Sequence, residues 1–226
     1  MDLTIVYVFV TLGVCLLLAV PIGVALGLSV IVGLVAGGIP SLFLMQRMFS
    51  SLDSFPLLAV PFFIMAGEIM QKGSMARRLL DFSRCLVGHL TGGMAQVSVL
   101  TSLFFGALSG SSPATVAAVG GVMVPSMKKE GYDAGYATAV CTSAGCLGVM
   151  IPPSIPLIIF GTTAGVSVGD LFIAGVVPGI LMGLTLMVTA YLLARRKGFR
   201  QTSEKAGLRM TLTALWRSFH ALMVPV

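Results

Sequence analysis

The placement of charge constrains this chain more than any other feature. No Asp, Glu, Lys or Arg occurs between Asp2 and Arg47, between Arg84 and Lys128, between Asp133 and Asp170, or between Asp170 and Arg195. Each interval exceeds the roughly 20 apolar residues that cross a bilayer as a helix. Only 10% of the 226 residues are charged and 57% are hydrophobic, whereas a soluble domain has about 25% charged residues. The pattern excludes a soluble enzyme. It predicts an all-α, polytopic membrane protein, because a backbone in lipid must satisfy its own hydrogen bonds.

The net charge of +6 does not point to nucleic acid, because the basic residues cluster beside apolar runs and follow the positive-inside rule. Seven of the 14 Lys and Arg lie between Arg195 and Arg217, which puts that segment in the cytoplasm. A second basic, amphipathic helix is expected over Met75 to His89, capped by Ser74. Both segments read as interfacial arms whose apolar faces meet lipid. The first apolar run, Thr4 to Ala36, has no basic region before it and is too long for a signal sequence, so it reads as retained membrane helix. Cys15, Cys85, Cys141 and Cys146 show no metal-ligand spacing and read as small packing residues.

Breaks in the apolar runs carry the remaining information. Pro21-Ile22-Gly23 divides Ile5 to Ala36 by either a strong kink or a true break. Ser41 to Asp53 reads as an interfacial helix and Phe55 to Met70 as a span. Gly92 to Leu108 and Ala114 to Met127 are apolar arms too short to span alone, and they meet at Ser109-Gly110-Ser111-Ser112-Pro113. They predict a re-entrant helical hairpin over 92–127; a single kinked span is the alternative. A broken transmembrane helix is expected over 133–166, since Pro152, Pro153 and Pro156 cannot continue a helix. Leu171 to Ala194 is a plain span. The organisation follows: scaffold helices in 1–53, a span and basic arm in 54–91, the hairpin and broken helix in 92–166, and a span with a basic segment in 167–226.

Irregular backbone at membrane depth is tolerated only where it is buried in protein or lines a cavity, which makes both breaks candidate sites. Ser112 is expected to cap a helix with Pro113 at its first position, so that free N–H groups near Ala114 and Thr115 attract an anion. The arm ending near Ser109 would present carbonyls and a hydroxyl, hard donors that suit Na⁺. Ser154 is expected to cap the helix resuming at Ile155, beside Pro153. Thr142, Ser143, Gly145 and Gly148 either pack closely against the tip or add carbonyl ligands. Glu68 with Lys72, and Asp81 with Arg77 or Arg84, read as surface ion pairs. His89 and His220 read as interfacial residues, and no motif for a protease, an ATPase or a metal site is present.

Gly106-Ala107-Leu108-Ser109-Gly110-Ser111-Ser112-Pro113-Ala114-Thr115, with Met123-Val124-Pro125 and Gly131-Tyr132 after it, resembles the first-hairpin motif of the large permease subunit of TRAP (tripartite ATP-independent periplasmic) transporters. Phe55-Pro56-Leu57-Leu58-Ala59-Val60-Pro61-Phe62-Phe63, Gly67-Glu68 and the Ile151-Pro152-Pro153-Ser154 break extend the resemblance over essentially the whole chain.

The resemblance implies the first inverted repeat of an elevator-type ion-transporter fold in the bacterial inner membrane. It implies uptake of C4-dicarboxylates or related organic acids, driven by Na⁺ as coupling ion and with no other cofactor. A periplasmic binding protein would deliver the carboxylate substrate, and a small four-helix membrane subunit would brace the scaffold. Carried over residue by residue, Ser109, Ser111, Ser112 and Gly145 would bind sodium, while Ser112, Pro113, Ala114, Thr115, Pro153 and Ser154 would face substrate. A second inverted repeat is missing from the pattern, and the apolar start at Leu222 to Val226 reads as a truncation. The alternatives are a sodium-coupled anion carrier of related fold that needs no binding protein, and a membrane fragment that does not transport.

Overall fold

The computed structural model describes residues 3–53, 55–72, 75–199 and 207–222. The Ser74 cap, the Lys72 and His220 side chains and the chain end at Val226 lie outside what is described. Among the described residues all regular structure is helical. The chain divides into two compact units, Met1–Phe55 and Pro56–Val226.

The first unit holds α1 (Leu3–Leu17), α2 (Ile22–Ala36) and α3 (Ser41–Leu52). Pro21 therefore marks a true break, not a kink: the chain turns through Ala19, at φ 56°, and α2 starts directly after the proline. Close packing of this pair relies on a small residue, since a Cβ on Gly33 would collide with Val8. Most other large side chains here, such as Leu3, Phe9, Leu17 and Val35, face outward, which a bilayer tolerates and water does not.

The second unit begins with α4 (Phe55–Lys72) and α5 (Met75–Val87). The hairpin follows as α6 (Gly93–Ser109), then a returning helix made of α7 (Ser112–Thr115), one π-type turn (Val116–Gly120) and α8 (Gly121–Lys129). The broken helix is α9 (Ala134–Gly145), α10 (Leu147–Met150) and, beyond a gap at Ile151 to Ser154, α11 (Ile155–Ala164). The 29-residue α12 (Val168–Arg196) and then α13 (Leu208–Leu222) complete the unit. By length and composition Ala134–Ala164 and Val168–Arg196 are each able to cross a membrane.

α6 is the centre of this unit. Thirteen of its 17 residues are buried, among them Gln96, Ser98, Thr101, Ser102 and Ser109, so it is enclosed all round and carries no apolar stripe. It touches α5, α9, α10 and α12. The basic arm corrects the sequence reading. Leu79, Leu80 and Phe82 of α5 are buried in protein, with Phe82 against Phe104 of α6 at 5.7 Å between ring centroids. Amphipathicity fixes that a face must be covered but not whether lipid or protein covers it. α13 packs on α5 as well, and the Ser218 hydroxyl donates to the Arg78 carbonyl at 2.9 Å. Arg84 reaches Glu130 at 3.9 Å instead of Asp81. Cys15 and Cys141 are buried as expected of packing residues, whereas Cys146 is exposed.

Candidate functional site: two helix breaks in contact

The hairpin tip is built by two cap residues in succession. α6 ends on Gly110, whose φ of 60° lets its N–H turn back to the Gly106 carbonyl at 2.9 Å. Ser111 is then extended, at φ −137° and ψ 123°, and its hydroxyl accepts from the Ala114 N–H at 3.5 Å. The cap is thus Ser111 and not Ser112, which is already the first helical residue. Proline fits one position further in than expected because any of the first four N–H groups of a helix lacks an internal acceptor.

The serines and the threonine of the tip converge. The Ser109 and Thr115 hydroxyls lie 3.0 Å apart, and Thr115 donates to the Ser111 carbonyl at 2.8 Å. Ser109 lies 3.3 Å from that same carbonyl. Three hard oxygens therefore sit together with Ser109 and Thr115 fully enclosed. Gly67 of α4 closes the site from one side, with its would-be Cβ 3.6 Å from the Ser109 Cα.

The proline break is pressed directly onto this tip. The Ile155 N–H donates to the Gly110 carbonyl at 3.2 Å, and a Cβ on Gly110 would stand 2.7 Å from the Pro153 carbonyl oxygen. Ser154 caps α11 as expected, accepting from the Leu157 N–H at 3.4 Å while its hydroxyl donates across the break to the Val149 carbonyl at 2.7 Å. Along the shared flank, a Cβ on Gly106 would lie 2.8 Å from the Gly148 Cα. One on Gly148 would lie 2.7 Å from the Ser111 carbonyl and collide with the Thr115 hydroxyl.

The structure thus brings Ser109, Ser111, Thr115, Pro153 and Ser154 into one locus. Gly145 lies further along the returning helix. A Cβ there would strike Val116 and lie 3.5 Å from the Ser112 carbonyl. Pro113, Thr142 and Ser143 are exposed, and Ser112 and Ala114 are half-buried. Sequence reasoning missed Gly67, Gly106 and Gly110 as contact positions. It also missed a usable signal: Ser111-Ser112-Pro113 and Ser154-Ile155-Pro156 share the pattern Ser-x-Pro, and read together they give both caps correctly.

Among the described residues no charged side chain enters the locus, so the electrostatics they give it come from helix ends. α6 and α10 terminate there with carbonyls while the returning helix and α11 begin there with N–H groups, giving opposed partial charges of about half a unit each. Among the described residues no cluster of three His, Cys, Asp or Glu could hold a metal. Just after the hairpin, exposed Asp133 caps α9 through the Tyr136 N–H at 2.9 Å and lies 3.7 Å from Lys197. The Tyr136 amide chiefly holds its carboxyl below the usual carboxylate range; desolvation opposes it, and Lys197 adds to the lowering.

Paired helix breaks of this kind are what a membrane carrier uses in place of buried charges. Residues 9–226 match the family model described as the tripartite ATP-independent periplasmic transporter, DctM component. The chain belongs to that family. It is 43% identical over 212 residues to an isethionate TRAP transporter permease protein of Oleidesulfovibrio alaskensis, covering 93% of this chain and 33% of that one. It is 45% identical over 173 residues to a C4-dicarboxylate TRAP transporter large permease of Pseudomonas aeruginosa, covering 75% and 40%. A sialic acid TRAP transporter large permease of Vibrio cholerae is 36% identical over 184 residues, covering 81% and 43%. The chain spans between a third and a half of the length of these relatives. They are transporter permeases, and this chain shares their family and carries helices long and apolar enough to cross a membrane.

Proposed function

We propose that the locus formed by the hairpin tip and the proline break is half of the translocation site of a Na⁺-coupled TRAP importer in the bacterial inner membrane. In this reading Na⁺ is held by Ser109, Ser111, Ser112 and Gly145, with Thr115 added because its hydroxyl shares the Ser109 cluster. The carboxylate of a C4-dicarboxylate or related organic acid meets the helix starts around Ser112, Pro113, Ala114 and Thr115 and around Pro153 and Ser154. A periplasmic binding protein delivers it, a small four-helix subunit steadies the scaffold, and the locus moves across the membrane as in an elevator.

The observation that carries the reading is the Ile155 N–H to Gly110 carbonyl bond, which makes two separate breaks one feature. A pair of breaks concentrates carbonyl and N–H ends where a cation and an anion are transported together. The substrates named for the relatives are all small organic anions, which suits a site that attracts negative charge without buried Lys or Arg.

The test is uptake into proteoliposomes by the protein from its complete reading frame, with its binding protein, as external Na⁺ is varied. Ser109→Ala and Thr115→Val should each raise the Na⁺ concentration for half-maximal uptake about 2- to 12-fold, the equivalent of one neutral hydrogen bond of about 0.5–1.5 kcal/mol. Uptake that proceeds equally well in K⁺ alone would sink the proposal. Uptake without the binding protein would instead favour the simpler anion carrier.

A further inference from the structure

A groove outside the helix-break locus runs between α9 and α12, with a cavity volume of about 110 Å³ and only a minor polar lining. Val99 of α6 floors it, Val140 and Ser143 of α9 form one wall, and Leu186 and Leu193 of α12 form the other. Two of its three hydroxyls are bonded within the protein: the Tyr136 hydroxyl donates to the Ala190 carbonyl at 2.8 Å and Thr189 donates to Thr185. Apart from Ser143 the rest of the lining is apolar. The groove lies between the two stretches of the chain able to cross a membrane, toward the end where Tyr136 and Leu193 lie.

One end of the groove is charged. Leu186, Ala190, Leu193 and Lys197 recur at helical spacing along one face of α12, about 16 Å from first to last. Tyr136, which closes that end, lies under the Lys197 ammonium at 5.8 Å. Arg196, the residue before Lys197, is exposed. Asp133 lies 3.7 Å from Lys197, which leaves two cations against one carboxylate at this end.

We propose that this groove binds the acyl chain of an anionic phospholipid, whose phosphate is held by Arg196 and Lys197. An apolar slot that ends under a cationic pair matches the two halves of such a lipid, and basic pockets between membrane helices are recognised features of lipid-binding membrane proteins. The bound lipid acts as a wedge between α12 and α9, the first helix after the hairpin.

The test is native mass spectrometry of the complete permease released from nanodiscs of mixed phosphatidylglycerol and phosphatidylcholine. The expected result is selective retention of phosphatidylglycerol, lost at least five-fold both in Ala139→Phe, which narrows the slot, and in the Arg196→Gln/Lys197→Gln double variant. A photoreactive acyl chain should label Val140 or Leu193. Equal retention of both lipids overturns the proposal, as does efficient crosslinking of a cysteine placed at Ser143 to another part of the permease or to the small subunit, since protein would then fill the groove. Uptake kinetics are read in parallel; failure of the lipid result leaves the helix-break locus untouched.

Discussion

The two breaks share a cap conformation, yet they differ in how much of their hydrogen-bonding capacity is used. Ser111 and Ser154 have nearly the same backbone, φ −137° and −128° with ψ 123° in both. Ser154 is completely buried and uses its hydroxyl twice, once to cap α11 and once to tie it to the Val149 carbonyl at 2.7 Å. Ser111 is half-buried, its cap bond is long at 3.5 Å, and its carbonyl instead gathers the Thr115 and Ser109 hydroxyls. The proline break is therefore a closed strut, and the hairpin tip is the side with oxygens to share. Under the proposed function this asymmetry matters, because the tip would offer its oxygens to a coupling ion while the strut keeps its shape.

The strongest way to break that comparison is to pry the two apart. Gly106→Ala places a methyl 2.8 Å from the Gly148 Cα, and Gly110→Ala places one 2.7 Å from the Pro153 oxygen at a φ of 60°. The obstacles are backbone and cannot rotate away. Each change should cost about 1–3 kcal/mol by overpacking, and Gly110→Ala about 1–2 kcal/mol more for the left-handed backbone. Thermal unfolding in detergent should register both, together with loss of uptake. Gly121→Ala in α8 is the control, since no atom lies within 4 Å of its would-be Cβ. It should be neutral or stabilising by up to about 1 kcal/mol. Equal damage from Gly121→Ala and Gly106→Ala would refute the idea that contact between the breaks matters.

The serines themselves give the next largest effect. Ser154→Ala removes a cap and a buried bond and should lower stability by about 1–2 kcal/mol, with little change in the Na⁺ dependence of uptake. Ser111→Ala loses only a long cap bond and should cost about half that. Its carbonyl remains in place, so Na⁺ dependence should shift less than in Ser109→Ala. Were Ser154→Ala to alter Na⁺ dependence as much as Ser109→Ala, the division into strut and site would fail.

Much of this was legible in the sequence, for physical reasons that also mark where legibility stops. The charge-free intervals forced helices, and prolines at 152, 153 and 156 forced the second gap, because these are one-dimensional constraints. Ser154 could be read as a cap because a proline-rich gap precedes it. Ser111 could not be chosen over Ser112 by local rules, since both are good caps and only the register of Pro113 distinguishes them. The apolar face of α5 was visible, but its partner α6 was not, because α6 is buried on all sides and carries no matching stripe. The meeting of Gly110 with Pro153 is a contact between positions 43 apart in sequence, and no periodicity reports such a pairing.

The smallest effect comes from the exposed, charged cap of this region. Asp133 caps α9 as Ser111 and Ser154 cap their helices, but it does so as an exposed carboxylate paired with Lys197. Its folded value is depressed by the Tyr136 amide and by Lys197. Its contribution is therefore fully present above the ordinary aspartate range, near pH 4, and fades as pH falls through the lower folded value. Asp133→Asn keeps a cap acceptor but loses the ion pair, so its thermal midpoint should sit slightly below the parent's at pH 7. The two midpoints should converge as the solution is acidified below pH 4. Added salt should shrink the neutral-pH gap as well, since exposed pairs are screened. A gap that widens on acidification would mean that Asp133 is destabilising when charged, and the serine caps would then be the only ones that stabilise this hairpin and broken helix.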